Sequence, residues 1–223
     1  MDLCAAPGSW SQVLARRLLP NAQSAVDKTE NVKIVAVDIQ TMAPIDGVTL
    51  IQGDITRPET ADRVIKLFEG SKAQLVVCDG APDVTGQHDL DEFLQSQLLL
   101  AALNITTFII EDRGTLVAKI FRGKDISLMI AQFRIFFEHV QVVKPKSSRS
   151  SSIEAFIVCR QYQKPPGYRP KMFGLSTDLA RDPYFMEHSQ DTDVRLLKSL
   201  TPFLMCGDLN DVASDPQRAN EHE

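Results

Sequence analysis

Four charged residues stand where strand-like runs of apolar sequence end or are interrupted. Asp38 closes Ile-Val-Ala-Val-Asp and Asp79 closes Leu-Val-Val-Cys-Asp, whereas Lys119 closes Thr-Leu-Val-Ala-Lys and Glu154 interrupts Ser-Ile-Glu-Ala-Phe-Ile-Val. One such residue alone is explained by a strand end that faces water. The set together favours a site, because ligands of open α/β sheets bind beyond the carboxyl ends of the strands and charged residues are rarely placed there without a partner.

Strands and helices that must position these residues alternate over about the first 160 residues. This alternation is typical of an α/β fold with a mainly parallel sheet. Strands are predicted over residues 33–38, 48–52, 74–79, 114–120, 139–143 and 152–159, and the segment 2–10 is predicted to open with the end of a further strand. Helices are predicted over residues 9–19, 58–68, 89–110 and 125–137. The carboxyl ends of the parallel strands are therefore expected to meet at one edge of the sheet.

Composition places the chain among folded globular proteins and excludes several classes. The 223 residues suit one domain, predicted at 1–160, followed by an appendage at 161–223 that is partly extended or disordered. The 43% hydrophobic and 24% charged residues exclude collagen-like and wholly disordered chains. The longest apolar stretch, residues 97–110, is too short and too interrupted to span a membrane, and no signal peptide is visible at the start. We therefore expect no membrane association and a cytoplasmic location, with the nucleus as the alternative.

The cysteines and histidines give no sign of a metal site. The four cysteines lie far apart, without a Cys-x-x-Cys pair, and no histidine stands beside them at a metal-ligand spacing: Cys4, Cys78, Cys159 and Cys206. Three of them lie in or beside apolar runs, where a reduced thiol behaves as a small buried hydrophobe. The sequence predicts neither a metal nor a disulfide.

Charge is unevenly distributed along this acidic chain. The net charge is −5, yet residues 113–149 carry eight basic residues against two acids, which gives +6 and leaves −11 for the rest. Such a segment is either an ordinary solvated face or a local footprint for phosphates. The candidates for phosphate contact are Arg122, Lys124, Lys144, Lys146 and Arg149.

The segment Asp2-Leu3-Cys4-Ala5-Ala6-Pro7-Gly8-Ser9-Trp10 combines a strand end, a turn of small residues and a helix start. It resembles motif I of the FtsJ-like RNA 2′-O-methyltransferases, which use S-adenosylmethionine. The resemblance continues through Gly-Asp-Ile at 53–55, Cys-Asp-Gly-Ala-Pro-Asp at 78–83, Ala-Lys-Ile-Phe-Arg-Gly at 118–123 and Ser-Ser-Ile-Glu-Ala-Phe at 151–156. The amino-acid sequences of residues 79–86, 97–104 and 202–209 are similar to those of the eukaryotic subfamily that methylates tRNA anticodon loops. A dinucleotide dehydrogenase is disfavoured, because no Gly-x-Gly-x-x-Gly follows the first strand.

The resemblance implies a Rossmann-like methyltransferase fold and assigns a cofactor pocket. Gly8 lets backbone approach a ligand, and Asp38 is placed to accept hydrogen bonds from ribose hydroxyls. By resemblance Trp10 lines the pocket as well, although core packing explains it equally. Asp54 is expected to face the adenine, and Asp79 to border the methionine part near the sulfonium.

The same resemblance assigns the catalytic residues. Family members carry a Lys-Asp-Lys-Glu tetrad, and Asp79, Lys119 and Glu154 match its last three members. Lys119 is the expected base for the ribose hydroxyl, which requires that burial or a nearby cation lower its pKa from about 10.4. The first lysine of the tetrad has no counterpart, and the few dozen residues that precede motif I in the family are expected to be missing here.

The sequence therefore predicts a tRNA 2′-O-methyltransferase acting on anticodon-loop nucleotides, including the wobble position. Unpaired loop nucleotides suit it because they can be splayed into a pocket. Ribosomal RNA or a messenger cap is the alternative substrate, and a non-catalytic remnant that binds cofactor or partner is the rival. The resemblance also implies an auxiliary protein subunit that helps to select the target nucleotide.

Overall fold

The computed structural model describes residues 1–19, 32–83, 85–123, 126–166, 168 and 170, without the side chains of residues 88, 89 and 128. Strands and helices alternate along this chain as expected. In order they are β1 (Asp2–Leu3), α1 (Ser9–Leu18), β2 (Ile34–Asp38), β3 (Val48–Gln52), α2 (Pro58–Leu67), β4 (Ala73–Cys78), α3 (His88–Ile109), β5 (Ile110–Phe121), α4 (Ile126–Phe133), β6 (Phe137–Val143) and β7 (Glu154–Tyr162).

The strands form one seven-stranded sheet in the order β3-β2-β1-β4-β5-β7-β6. The first five strands of this order are parallel, and β7 runs antiparallel to both of its neighbours. The order reverses between β1 and β4, since the chain builds outward from β1 to β3 and then returns to the other side. A reversal of this kind opens a crevice at the carboxyl ends of the two strands, which is where α/β sheets bind ligands.

Helices cover both faces of this sheet. α2 and α3 contact each other and therefore share a face, where they bury Val64, Leu99 and Leu103 completely or nearly so. On the other face, Trp10 of α1 packs against Phe156 of β7, with ring centroids 5.5 Å apart. The neighbours of Phe156 in β7, Ala155 and Ile157, point to the opposite face because side chains alternate along a strand.

Several predicted boundaries differ from those of the structure by one to three residues, and two were wrong by four residues. The helix predicted over 125–137 ends at Phe133, and three residues of turn lead into β6. Phe137 belongs to β6, where it pairs with Tyr162 of β7 and its ring lies 5.4 Å from the tyrosine ring. The strand predicted over 114–120 begins at Ile110, directly at the end of α3, and Arg113 takes a left-handed φ of 65° within it. Apolar residues at positions 133, 136 and 137 fit either element, so periodicity alone did not separate them.

Residues beyond 160 also pack in the core. β7 continues to Tyr162, and Tyr168 is only 2% exposed. The Tyr168 ring meets Phe136 edge-on at 5.0 Å, and its hydroxyl donates to Thr107 Oγ1 at 3.3 Å. Most of the predicted appendage, from residue 171 onward, lies outside the described residues.

Candidate functional site

A cavity of about 740 Å³ opens at the carboxyl ends of β1 to β5, on the crevice where the strand order reverses. Its size lies within the range of cofactor sites, about 300 to 1,000 Å³. Apolar side chains line one part of the wall: Ile39, Ile55, Phe93, Leu94 and Leu98. Charged side chains line the rest: Asp38, Asp54, Asp79, Asp83 and Lys119. The cavity is therefore an apolar cleft with converging carboxylates and one ammonium group.

Asp38 lies at the end of β2 and is 7% exposed. Its Oδ2 accepts the backbone N–H of Ala6 at 2.8 Å, and its Oδ1 accepts the backbone N–H of Gln40 at 2.7 Å. Each carboxylate oxygen can accept a second hydrogen bond. Asp38 therefore ties the loop after β1 to the loop after β2, and it keeps capacity for a ligand hydroxyl.

Asp54 lies two residues beyond the end of β3. Its Oδ1 accepts both the backbone N–H and the hydroxyl of Thr56, at 2.9 and 2.7 Å, so the carboxylate fixes the turn that leads into α2. Its Oδ2 lies 4.0 Å from the guanidinium of Arg57. Thr56 and Asp54 both line the cavity, which places polar groups beside the apolar wall formed by Ile55.

The three predicted catalytic residues lie together: Asp79 and Lys119 line the cavity, and Glu154 lies beside Lys119, outside that lining and 48% exposed. The Lys119 ammonium lies 2.9 Å from Asp79 Oδ1 and 3.5 Å from Glu154 Oε1. Strand register explains this meeting, because Asp79 follows β4 while Lys119 and Glu154 lie on the paired strands β5 and β7. The Lys119 side chain is 13% exposed, so a charged lysine here depends on its two acidic partners.

The environment of Lys119 shifts its pKa in the direction opposite to that required of a base. Burial lowers the pKa of Lys119, but the hydrogen bond with Asp79 and the negative charges of Asp79 and Glu154 outweigh burial and raise it above its ordinary value. Both groups that form ion pairs with Lys119 are acids. In this state the residue is an ammonium ion that donates hydrogen bonds.

Gly8 and Trp10 lie outside the lining of the cavity. Gly8 precedes α1 with φ of 107°, and a Cβ at this position would come within 2.9 Å of Ile45 Cδ1. The turn therefore requires glycine because of its own backbone. Trp10 packs on Phe156, which lies opposite Lys119 in the strand pairing. Their predicted cofactor contacts stay predictions.

Part of the lining was not predicted. Phe93, Leu94 and Leu98 lie in the helix predicted over 89–110, to which no binding role is assigned from the sequence, and Gln97 lies among them with 9% exposure. The sequence signal that could have indicated this part of the lining is Gln97, a polar residue within an otherwise apolar helix face. Gly53, which was part of the motif, is required by packing, since a Cβ there would come within 2.6 Å of the Thr60 hydroxyl.

Among the five candidates for phosphate contact, all but Lys124 lie within the described residues. Arg122, Lys146 and Arg149 are exposed. Lys144 differs, because its ammonium donates to the backbone carbonyls of Ser150 and Ser152 at 3.2 and 2.6 Å and so fastens the loop that precedes β7. Among the five candidates for phosphate contact, Lys144 therefore has a structural task of its own.

The described residues carry three of the four cysteines of the chain. Cys4, Cys78 and Cys159 are free thiols, whereas Cys206 lies outside the described ranges. No cluster of three or more His, Cys, Asp or Glu side chains suited to a metal ion occurs within them. None of the helices there is both long and apolar enough to cross a membrane.

Comparison with protein families finds that residues 1–162 match the model of the FtsJ-like methyltransferases. A tRNA (cytidine(32)/guanosine(34)-2′-O)-methyltransferase from Mus musculus is 52% identical over 96% of this chain and 62% of its own length. A protein with the same name from Schizosaccharomyces pombe is 46% identical over 96% of this chain and 71% of its own length. The chain thus spans about three fifths of the length of its mouse relative.

Comparison with solved structures agrees on the fold. A crystal structure of a ribosomal RNA methyltransferase from Plasmodium falciparum superposes with a TM-score of 0.61 at 24% identity, over 72% of this chain and 84% of that one. At this identity the likeness concerns the fold alone.

Proposed function

The chain belongs to the FtsJ-like methyltransferase family, and from this premise we propose that it transfers a methyl group from S-adenosylmethionine to ribose 2′-hydroxyls of tRNA anticodon-loop nucleotides. The observation that carries the proposal is the Lys119 ammonium held between Asp79 and Glu154 at the edge of the cavity. The nucleotides are those in the names of the relatives, cytidine 32 and the wobble guanosine 34.

The residues of the cavity fit an adenosyl cofactor. Asp38 has unused lone pairs for ribose hydroxyls, and Ile39 with Ile55 offers apolar surface for the adenine. Asp54 supplies a polar edge beside that surface, and Asp79 supplies a negative charge. When bound, S-adenosylmethionine supplies an electrophilic methyl group on a cationic sulfonium.

Lys119 has the position but not yet the pKa of a general base. Its Nζ must lose a proton before it can accept one from the 2′-hydroxyl, and the acids beside it hold that proton. A positive charge placed in the cavity near Asp79 and the exclusion of water by RNA both lower the pKa of an amine. We propose that the pKa of Lys119 falls in the loaded enzyme, and that Asp79 and Glu154 then orient the amine.

The exposed residues Arg122, Lys146 and Arg149 lie next to the strands that carry Lys119 and Glu154, and we assign them to RNA phosphates. Contacts of this kind position a nucleic acid without reading its sequence. Phosphate contacts therefore do not select the nucleotide, and we propose that a separate auxiliary protein subunit selects it.

We also propose that the reaction takes place in the cytoplasm. Imaging of the tagged protein would test this location against a nuclear one.

The function is tested by methyl transfer from labelled cofactor to tRNA transcripts, with and without the partner that copurifies from the native source. We expect label on the native transcript and none on a transcript with 2′-deoxyribose at positions 32 and 34. A ribosomal RNA transcript and a capped RNA serve as competing substrates. Label on either of these in preference to tRNA would replace the proposed substrate, and cofactor binding without transfer to any of them would favour the non-catalytic rival.

A further inference from the structure

A buried amide connects the two strand ends that carry Asp79 and Lys119. Gln95, on the second turn of α3, is 4% exposed. Its Nε2 donates to the backbone carbonyl of Gly80 at 3.0 Å and to the backbone carbonyl of Lys119 at 2.8 Å. One side-chain NH₂ group therefore holds the residue after Asp79 and Lys119 itself.

The orientation of this amide follows from its partners. Both contacts are carbonyl oxygens, which only accept hydrogen bonds, so the NH₂ end of Gln95 must face them. The other end, Oε1, is buried without a hydrogen-bond partner among the described residues. The side chain thus leaves its own acceptor unsatisfied while it bridges the two carbonyls.

The bridge lies where the sheet no longer connects the two strands. The parallel ladder between β4 and β5 ends at the pair Cys78 and Ala118, one residue before Asp79 and Lys119. Beyond that pair the ladder has no further residue pair, and the side chain of Gln95 connects the two strands instead. α3 also holds the far part of the same loop, because Asp91 Oδ1 accepts the backbone N–H and hydroxyl of Thr85, both at 2.8 Å.

We propose that Gln95 is a positioning residue for methyl transfer, which sets the separation of the Asp79 carboxylate and the Lys119 ammonium by holding the Gly80 and Lys119 carbonyls. The inference rests on the proposed function. Loss of the amide leaves two carbonyls without their donor and frees the strand ends to move apart. Catalysis is sensitive to such movement, since displacement of about 1 Å costs up to roughly 10²-fold in rate.

The test compares Gln95→Met with Gln132→Met in the full-length protein with its partner and tRNA. Methionine matches glutamine in length but donates no hydrogen bond. Gln132 is a matched control, because it is 2% exposed on α4 and neither amide atom has a partner among the described residues. We expect kcat of Gln95→Met to fall about 10- to 100-fold, with cofactor affinity within about threefold of wild type. Gln132→Met should keep the kcat of wild type.

A second measurement does not depend on activity. NMR titration of the Lys119 ammonium in the protein free of cofactor and tRNA should give a pKa above the ordinary lysine value in wild type. In Gln95→Met the pKa should lie nearer to the ordinary value, because separation from Asp79 weakens the ion pair. If Gln95→Met does not fold, Gln95→Asn replaces it, since this variant keeps a buried amide but is too short to reach both carbonyls.

The outcomes separate the two proposals. An unchanged kcat and an unchanged Lys119 pKa in a folded Gln95 variant would overturn the positioning role while leaving the proposed function intact. A wild-type protein without methyl transfer, but with the expected change in the Lys119 pKa, would overturn the function and retain the bridge. Equal loss of kcat in Gln95→Met and Gln132→Met would show a general effect of core amides and would also overturn the positioning role.

Discussion

At the scale of single residues, Lys119 combines a position suited to proton transfer with surroundings that oppose it. Its ammonium is mostly withdrawn from water and lies between two carboxylates. Such a pair is costly to break, because removal of one partner leaves an unpaired charge in a partly buried place. The site therefore gains precise placement of the amine at the expense of its basicity in the unloaded state.

Lys119→Met tests the assignment of the base. The variant keeps the length of the side chain but cannot take a proton, so we expect methyl transfer to fall by about 10² to 10⁴-fold while cofactor affinity stays nearly unchanged. Lys72→Met is the control, since Lys72 is exposed before β4, at the opposite edge of the sheet, where it donates to the Phe108 carbonyl. Single-turnover rates and calorimetry measure the two quantities, and an active Lys119→Met enzyme would assign the base elsewhere.

The pH dependence follows from the direction of the Lys119 pKa. The value in the free enzyme is raised, so the deprotonated form is a minor species at neutral pH and grows about tenfold for each pH unit. We expect kcat/KM for tRNA, measured with the cofactor far below saturation, to rise by that factor per unit from about pH 6.5 to 9.5 without levelling, because under this condition kcat/KM reports the free enzyme. kcat should level at a lower pH if the pKa falls in the complex. A flat kcat/KM profile over this range would contradict an unprotonated lysine as the base.

Asp38→Asn tests the ribose acceptor. The amide oxygen can replace one of the two acceptors, but its NH₂ group then faces a backbone N–H, either of Ala6 or of Gln40. Hydrogen bonds to a charged group are worth about 1.5 to 3 kcal/mol, so we expect cofactor affinity to fall about 10- to 100-fold. Asp62→Asn, on the exposed face of α2, should leave the affinity unchanged. Equal affinities of all three proteins would remove Asp38 from the site.

At the scale of elements, the strand ends were predictable and the contacts between them were not. Asp38, Asp79 and Lys119 stand out in the sequence because each follows an apolar run, and parallel strands bring such positions to one edge. The roles of Gln95 and Lys144 depend on backbone carbonyls of residues six or more positions away, and no local pattern records them. The end of α4 was missed for a related reason, since tertiary pairing with β7 decides that Phe137 is a strand residue.

The loop before β7 gives a prediction at this scale. Lys144 holds that loop by two carbonyl contacts, whereas Lys146 and Arg149 are exposed on it. Reversal of Lys146 and Arg149 to Glu should weaken tRNA binding and reduce the slope of log K against log salt by about 1.4 to 1.8, because each phosphate contact contributes about 0.7 to 0.9.

The control for the charge reversal is the pair Lys66 and Lys72, also exposed, near the amino end of β4. Their reversal to Glu changes the net charge by the same amount and should leave the slope nearly unchanged. Identical slopes in both double variants would make residues 146 and 149 part of an ordinary solvated face.

At the scale of the whole molecule, the core is closed by a residue beyond the last strand. Tyr168 fills the space beside Phe136 and reaches Thr107 of α3. We expect Tyr168→Ala to lower the free energy of unfolding by about 3 to 5 kcal/mol, as removal of a large buried aromatic side chain does. Val13→Ala, at a position 54% exposed on α1, should change it by less than about 0.5 kcal/mol. Urea denaturation measures both, and a neutral Tyr168→Ala would separate this residue from the folded unit.

The position of β7 in the sheet has a consequence for folding of the protein during its synthesis on the ribosome. Among the seven strands of the described sheet, β7 is the last to be synthesised, yet it lies between β5 and β6, and β6 pairs with no other strand of that sheet. The nascent chain can assemble β1 to β5 as they are synthesised. β6, however, stays unpaired until residues 154–162, which form β7, have left the ribosome. Non-local pairing of this kind is slow and leaves a strand edge open to aggregation in the meantime. Vectorial synthesis therefore completes the parallel half of the sheet, with its cavity, before Glu154 arrives to join Asp79 and Lys119.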